Sequence, residues 1–257
     1  MMQEPLILAV ETSSRMGSVA LAFGGKLVSE TRFSSPLKHS VEIFPAVRGL
    51  LDHAGRTPDQ IEQVYISHGP GSFTGLRIAA TLAKTMHLAN AAKIITVDTL
   101  DIIAANVVRL IPDSRTASVG ATPCGCPGTR IAVVLDAKRG QFFIAVYQLA
   151  PQGCSSRGAE NSLWKKVVPD SLMTISEFLD RFACPEDPIG LLGDGLVYYR
   201  DRFKADGVFF LDEQYWSPQA NKVHLLGRQM ALNGQFADPL TLTPNYLRKP
   251  NVTLKSR

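Results

Sequence analysis

The residues equipped for chemistry stand at strand ends and in turns. Leu6 to Val10 is an apolar run that passes into Glu11, Thr12, Ser13 and Ser14; Ile131 to Leu135 is a second, passing into Asp136 before Lys138, Arg139 and Gly140 turn the chain. Turn N–H groups and hydroxyls hold anions, and a carboxylate beside them can hold the water shell of a metal. Glu11, Thr12, Ser13 and Asp136, together with the Gly193-Asp194-Gly195 turn, are therefore candidates for a phosphate or nucleotide cleft. The plainer reading makes the same carboxylates solvated strand ends, or the vestige of such a cleft. At this level both readings stand.

The glycine-rich stretch from Gly69 to Gly75, GPGSFTG, invites two further chemistries and fits neither. Its spacing is not the GxSxG of a hydrolase elbow, and no GK[ST] follows to make a Walker loop. It reads as a tight turn in which Thr74 caps a helix whose N-terminus suits an anion. The five histidines, His39, His53, His68, His87 and His224, make no HxxxH or HExxH pair, so a metallopeptidase has no ligands in series. His68 and His87 read as hydrogen-bonded structural residues, and Lys38 and His39 as rim or solvated ones. Cys124, Cys126, Cys154 and Cys184 form no CxxC pair and read as free thiols of a reducing compartment.

The elements that must position these groups repeat. Strands over Leu6 to Val10, SVALAF and KLVSETRF form a meander, followed by a helix from Ser40 to Ala54 and a short turn capped by Thr57, Pro58 and Gln60. A strand at Val64 to Ile66, a helix from about Gly75 to Ala91, a strand at Lys93 to Val97 and a helix from Thr99 to Leu110 complete one α/β half. After residues 112–128, rich in Pro, Gly, Ser and Thr and read as a flexible linker, the order begins again. Ile131 to Leu135, Gln141 to Leu149 and a stretch near Leu163 to Val168 are strands, and Thr174 with Glu177 opens a helix as a capping box. IGLLG, a helix near Val197 to Phe203 and VFFL follow, and Ser217 caps a closing helix that reaches Asn233. The predicted divisions are an N-terminal lobe over 1–111, the linker, a C-terminal lobe over 129–216, and a helix and tail over 217–257 that pack back on the first lobe.

Two helices carry more apolar surface than their own core requires. At about 100° per residue the segments 40–54 and 75–91 each present an apolar arc far wider than the ~100° stripe of a surface helix. That surplus predicts a partner interface through Phe44, Val47, Leu51, Ala79, Leu82, Ala83 and Met86. With 45% hydrophobic and 19% charged residues in 257, the chain is ordinary globular material. No apolar run reaches the ~18 residues of a membrane span, and the first residues carry no basic n-region, so a cytoplasmic protein is expected. The net charge of +4 comes from scattered basic residues rather than a dense patch, and by itself assigns no nucleic-acid site.

AVETSS, KHS, HGPGSFTGLRIAATLAK, DAKRGQ, GDG and PNYLRKP, in this order, resemble the TsaB (YeaZ) family over nearly the whole chain, GPGSFTGLR being the specific part. The resemblance implies a duplicated, two-lobed βββαβα fold of the actin/Hsp70/sugar-kinase class and a non-catalytic paralogue of TsaD. It also implies a role, with TsaD and the ATPase TsaE, in making N6-threonylcarbamoyladenosine at position 37 of tRNAs that read ANN codons. The implied partners are TsaD in a heterodimer, TsaE, a second copy when TsaD is lacking, and tRNA only through the complex. No cofactor of its own is implied; ATP or ADP and a metal enter only with TsaD and TsaE. Where the catalytic paralogue carries a metal-binding HxxxH, this sequence aligns Thr99 and Ile103, neither of which ligates a metal. The alternative is a stand-alone phosphotransferase or glycoprotease-like peptidase of the same fold.

Overall fold

In the computed structural model, residues 4–36, 38–110, 129–149 and 164–245 are described. The first half runs β1 (Leu6–Glu11), β2 (Ser18–Phe23), β3 (Lys26–Arg32), α1 (His39–His53), β4 (Gln63–Gly69), α2 (Phe73–Asn90), β5 (Lys93–Asp98) and α3 (Thr99–Ala104). The second runs β6 (Arg130–Asp136), β7 (Gln141–Leu149), β8 (Trp164–Thr174), α4 (Ile175–Phe182), β9 (Ile189–Leu192), α5 (Leu196–Tyr199) and β10 (Val208–Phe210), and α6 (Ala220–Leu232) follows. The two sheets have the same topology: β3-β2-β1-β4-β5 in one, β8-β7-β6-β9-β10 in the other. In each, the first three strands form an antiparallel meander, and the first strand pairs parallel with the fourth. This is a duplicated α/β fold in which one strand order is used twice, as the resemblance implies.

The period of two along a strand explains why its sequence reads as unbroken apolar residues. Leu6, Leu8 and Val10 of β1 face a core shared with α1 and α2, while Ile7 and Ala9 face α6. A sheet covered on both sides needs apolar residues at every position. The α6 side is lined by small residues, Ala9, Ala20 and Ala22, and Gly227 of α6 sits so close that a Cβ there would stand 2.6 Å from the Tyr65 ring. The closing helix thus packs on the first lobe. Conversely, Leu100, Ile103 and Ala104 of α3, which precede the second lobe in sequence, are buried in its core.

Several expected boundaries shift. Ser72, not Thr74, caps α2, its hydroxyl accepting from Gly75 N at 3.3 Å, so the helix begins earlier, at Phe73. The helix at Thr99 ends at Ala104 and continues as a 3-10 turn over Ala105–Leu110. α6 is capped at Gln219 instead of Ser217, whose carbonyl accepts from the Asn106 side chain. β8 extends to Thr174, held by its pairing with β7. The capping boxes at Thr57/Gln60 and Thr174/Glu177 form as the sequence predicts. The predicted linker 112–128, the first residue of the strand expected near Leu163, three of the four cysteines and the end of the PNYLRKP motif lie outside the described residues.

Candidate functional site

The end of β1 and the start of α2 are locked together. Thr12 Oγ1 donates to Gly75 O at 2.7 Å, and Ser72 N donates to Ser13 O at 2.6 Å. Only glycine fits on the α2 side of this contact: a Cβ on Gly75 would stand 1.7 Å from Thr12 O, and one on Gly71 2.4 Å from Ser13 O. His39, at the first position of α1, completes the junction by donating from Nε2 to Ser14 O at 2.9 Å. It is buried, not solvated as its sequence context suggests, because the turn after β1 folds over it.

Of the predicted cleft residues, Asp194 lies within electrostatic reach of both Glu11 and Asp136. Glu11, Thr12 and Ser13 end β1, Asp136 ends β6, and the Gly193-Asp194-Gly195 turn folds onto Asp136. A Cβ on Gly193 would stand 2.3 Å from Val134 O, and Gly193 adopts φ +121°, so this turn depends on glycine. Glu11 is fully buried and receives both Ser13 N and Ser13 Oγ on one carboxylate oxygen, each at 2.5 Å. Burial nevertheless dominates and pushes its carboxyl up to about 7, against the lowering effect of the Ser13 and Ser67 hydrogen bonds. Asp194 is pushed up to about 6, first by burial and then by the charge of Asp136, with Lys138 and Arg15 acting in opposition.

The β6–β7 turn repeats the pattern of the first. Lys138 N donates to Asp136 Oδ1 at 2.7 Å, and Lys138 Nζ lies 2.8 Å from Asp136 Oδ2. Across the cleft mouth Arg15 bonds the Tyr198 hydroxyl and lies over its ring, 5.5 Å from the centroid, joining the first lobe's turn to α5 of the second. No sequence signal marks Tyr198; the contact exists because two distant turns meet.

The α1–α2 pair requires a correction. Val47, Leu51, Ala79, Leu82 and Ala83 are buried in the chain's own core, packed on the β1, β2 and β4 face and on each other. The wide apolar arcs are consumed there, and of these five only Leu82, 3% exposed, also lines the groove between the two helices. Phe44 is 64% exposed and Met86 is half-buried. The surface of the pair carries a different set: Val41 and Phe44 on α1, and Phe73, Ile78 and Leu88 on α2, of which Ile78 is half-buried and the rest exposed. Between the helices runs an apolar groove of ≈ 360 Å³ lined by Phe44, Phe73, Arg77, Ile78, Thr81 and Thr85. Arg77 lies over the Phe73 ring, 4.3 Å from its centroid. Phe73 was legible as an aromatic in the glycine-rich turn, but only the earlier helix start puts it on this face.

Thr99 and Ile103 are fully buried on α3. Among the described residues no group of three His, Cys, Asp or Glu is arranged to hold a metal, and no helix is long and apolar enough to cross a membrane. His68 and His87 bond the carbonyls of Thr243 and Ala92, at 2.7 and 3.0 Å.

Comparison with known proteins follows the same lines. The model of the family described as "TsaD: tRNA N6-adenosine threonylcarbamoyltransferase" matches residues 34–160. The chain is 28% identical to the tRNA threonylcarbamoyladenosine biosynthesis protein TsaB of Bacillus subtilis (strain 168) over 253 residues, 97% of this chain and 96% of the relative. It is 26% identical to the protein of the same name from Escherichia coli (strain K12) over 249 residues, again 97% and 96%. Among solved structures, YeaZ from Pseudomonas aeruginosa superposes with a TM-score of 0.71 at 24% identity, covering 95% of this chain and 100% of that one.

Proposed function

We infer that this chain, a member of the TsaB (YeaZ) family and thereby a subunit of tRNA threonylcarbamoyladenosine biosynthesis, works without chemistry of its own by docking the outer face of α1 and α2 onto TsaD. The observation that carries this reading is the exposed apolar surface of those two helices: Phe44 and Phe73 line a groove between them, and Val41 and Leu88 are exposed elsewhere on the same helices. Exposed aromatics flanking a groove are the kind of anchors that dominate protein interfaces. In the absence of TsaD the same face pairs with a second copy. Docking orders the partner's helices, so that TsaE and tRNA are received by the assembled complex and this chain meets tRNA only through it.

The cleft supports the same reading. The fold class implies a nucleotide, whose phosphates need free donors at the two hairpin turns. Here Ser13 N and Oγ are taken by Glu11, and Lys138 N and Nζ by Asp136. Glu11 and Asp194 add carboxyl groups where phosphate charge would fall, so the residues present do not fit a phosphate anion. ATP or ADP and a metal belong to the complex rather than to this chain, and Thr99 and Ile103 leave no imidazole pair on α3.

Size-exclusion chromatography of the chain mixed with TsaD and TsaE, together with a tRNA-modification assay, tests the reading through Phe44→Asp. The side chain is exposed, so the variant is expected to fold as the parent does, yet lose association and the complex-dependent modification. Undiminished assembly of that variant with TsaD would place the interface elsewhere.

A further inference from the structure

An unexplained feature lies where the end of β5 and α3 face β7 and β8. A cavity of ≈ 560 Å³ is bounded by the end of β5 and α3 on one side, β7 and β8 on another, and the C-terminal turns of α6 on the third. A volume of that size holds a small organic molecule. Its walls are of two kinds. Tyr147, Trp164, Leu226 and Met230 supply rings and aliphatic surface, while Gln229 and Asn233 line the same space.

Its floor is acidic. Asp98 and Asp101, 27% and 39% exposed at the side chain, face the space. Asp170 lies behind them. Among the described residues a single cation answers all three: Lys166 Nζ lies 2.8 Å from both Asp101 and Asp170 and 3.6 Å from Asp98. Tyr147 donates its hydroxyl to Asp101 at 2.7 Å. Asp170 Oδ2 is buried, and a side-chain hydrogen bond links the Asp170 and Asp98 carboxyls. Three carboxylates against one ammonium leave the cluster short of positive charge. Asp98 answers by holding a proton: burial, then the neighbouring Asp170, push its carboxyl up to about 8 despite Lys166.

These surroundings select among ligands. An anion is repelled by the floor. A bare divalent ion would require a cluster of ligands that the described residues do not form, and it has no use for the aromatic and aliphatic walls. An ammonium on an apolar body uses both: its charge pairs with carboxylates, and its body lies against the small exposed edges of Tyr147 and Trp164 and the half-buried Leu226 and Met230, Lys166 already lying over the Tyr147 ring. We propose that this cavity binds a small organic cation, its primary ammonium on Asp98 and Asp101 and its apolar body against Tyr147 and Trp164. Because Asp98 and Asp101 come from the first lobe and Tyr147 and Trp164 from the second, the occupant bridges the two lobes.

Proton linkage gives the site a signature that nonspecific charge attraction lacks. The cation favours ionised Asp98, which must release its proton first. The groups facing that carboxyl are Asp101, Asp170, Lys166 and Tyr147, with His68 across the cavity. Affinity therefore rises with pH toward 8.

Isothermal titration of the full chain with tyramine, an aromatic primary ammonium, and with its neutral counterpart 4-ethylphenol tests this without any mutation. Saturable tyramine binding is expected, with 4-ethylphenol weaker by about tenfold or more. Tyramine affinity should rise about tenfold from pH 6.5 to 8, with a binding heat that changes with the buffer's ionisation enthalpy. Asp101→Asn, checked for an unchanged thermal unfolding profile, should weaken tyramine about tenfold and leave 4-ethylphenol unaffected. Unsaturable binding, equal binding of the neutral compound, or an affinity flat across this pH range would overturn the proposal.

Discussion

Replacing Glu11 with glutamine removes a carboxylate that the fold holds at an energetic disadvantage. In the folded protein this group titrates at about 7 against an ordinary value of 4.5, the first cause being its complete burial. At about 1.4 kcal/mol per pH unit, that difference corresponds to a penalty of about 3 kcal/mol once the group is ionised in both states. The folded state keeps its proton between 4.5 and 7 while the unfolded chain has lost it, so wild-type stability falls as pH rises through that window. Glutamine carries no charge in either state. It retains an acceptor for Ser13 N, whose 2.5 Å bond to the carboxylate anchors the turn. Glu11→Gln should therefore match the wild type near pH 4 and exceed it by about 3 kcal/mol at pH 8. Urea unfolding of both proteins at pH 4.5, 6, 7 and 8 reads this as a difference. The other elevated carboxyls, Asp98 and Asp194, are common to both chains and largely cancel. A difference that stays flat with pH, or one that grows in favour of the wild type, would refute the burial argument.

Ala83→Glu places a charge at a side chain with 0% exposure in the core of the first lobe. It should cost several kcal/mol and lower the thermal midpoint sharply, where Phe44→Asp leaves it almost unchanged. For Gly75→Ala, the new Cβ would meet Thr12 O, a backbone atom that cannot swing aside. A loss on the order of 3 kcal/mol in denaturant unfolding is expected, and a loss under ~0.5 kcal/mol would show that the β1–α2 junction relaxes freely. Thr174→Ala removes the hydroxyl that accepts from Glu177 N at the start of α4. About 1 kcal/mol of stability should disappear in chemical denaturation.

Much of the fold is legible in the sequence because its signals are local. The alternating faces of β1 and β4, the glycine turn before α2 and the capping box at Thr174 each arise from neighbours along the chain. The repetition of Glu11 and Asp136 at the ends of corresponding strands is likewise legible, β1 and β6 holding the same place in their two sheets. What those residues do there was not legible. Whether a turn's N–H groups face outward to a ligand or inward to their own carboxylate depends on side-chain placement that spacing does not encode.

The α1–α2 pair marks the boundary most clearly. A helical projection measures how wide an apolar arc is but not how many neighbours share it, so Val47, Leu51, Ala79, Leu82 and Ala83 counted as surplus until the sheet and the paired helix were seen to cover them. The amino-acid order alone determined the strands, the turns and the duplicated layout, since each follows from contacts close along the chain. Tertiary packing alone decided which apolar side chains remain outside, and it alone set Lys166 of β8 against Asp98 and Asp101. Burial and electrostatics are sums over whatever space brings near, and distance along the chain does not supply that sum.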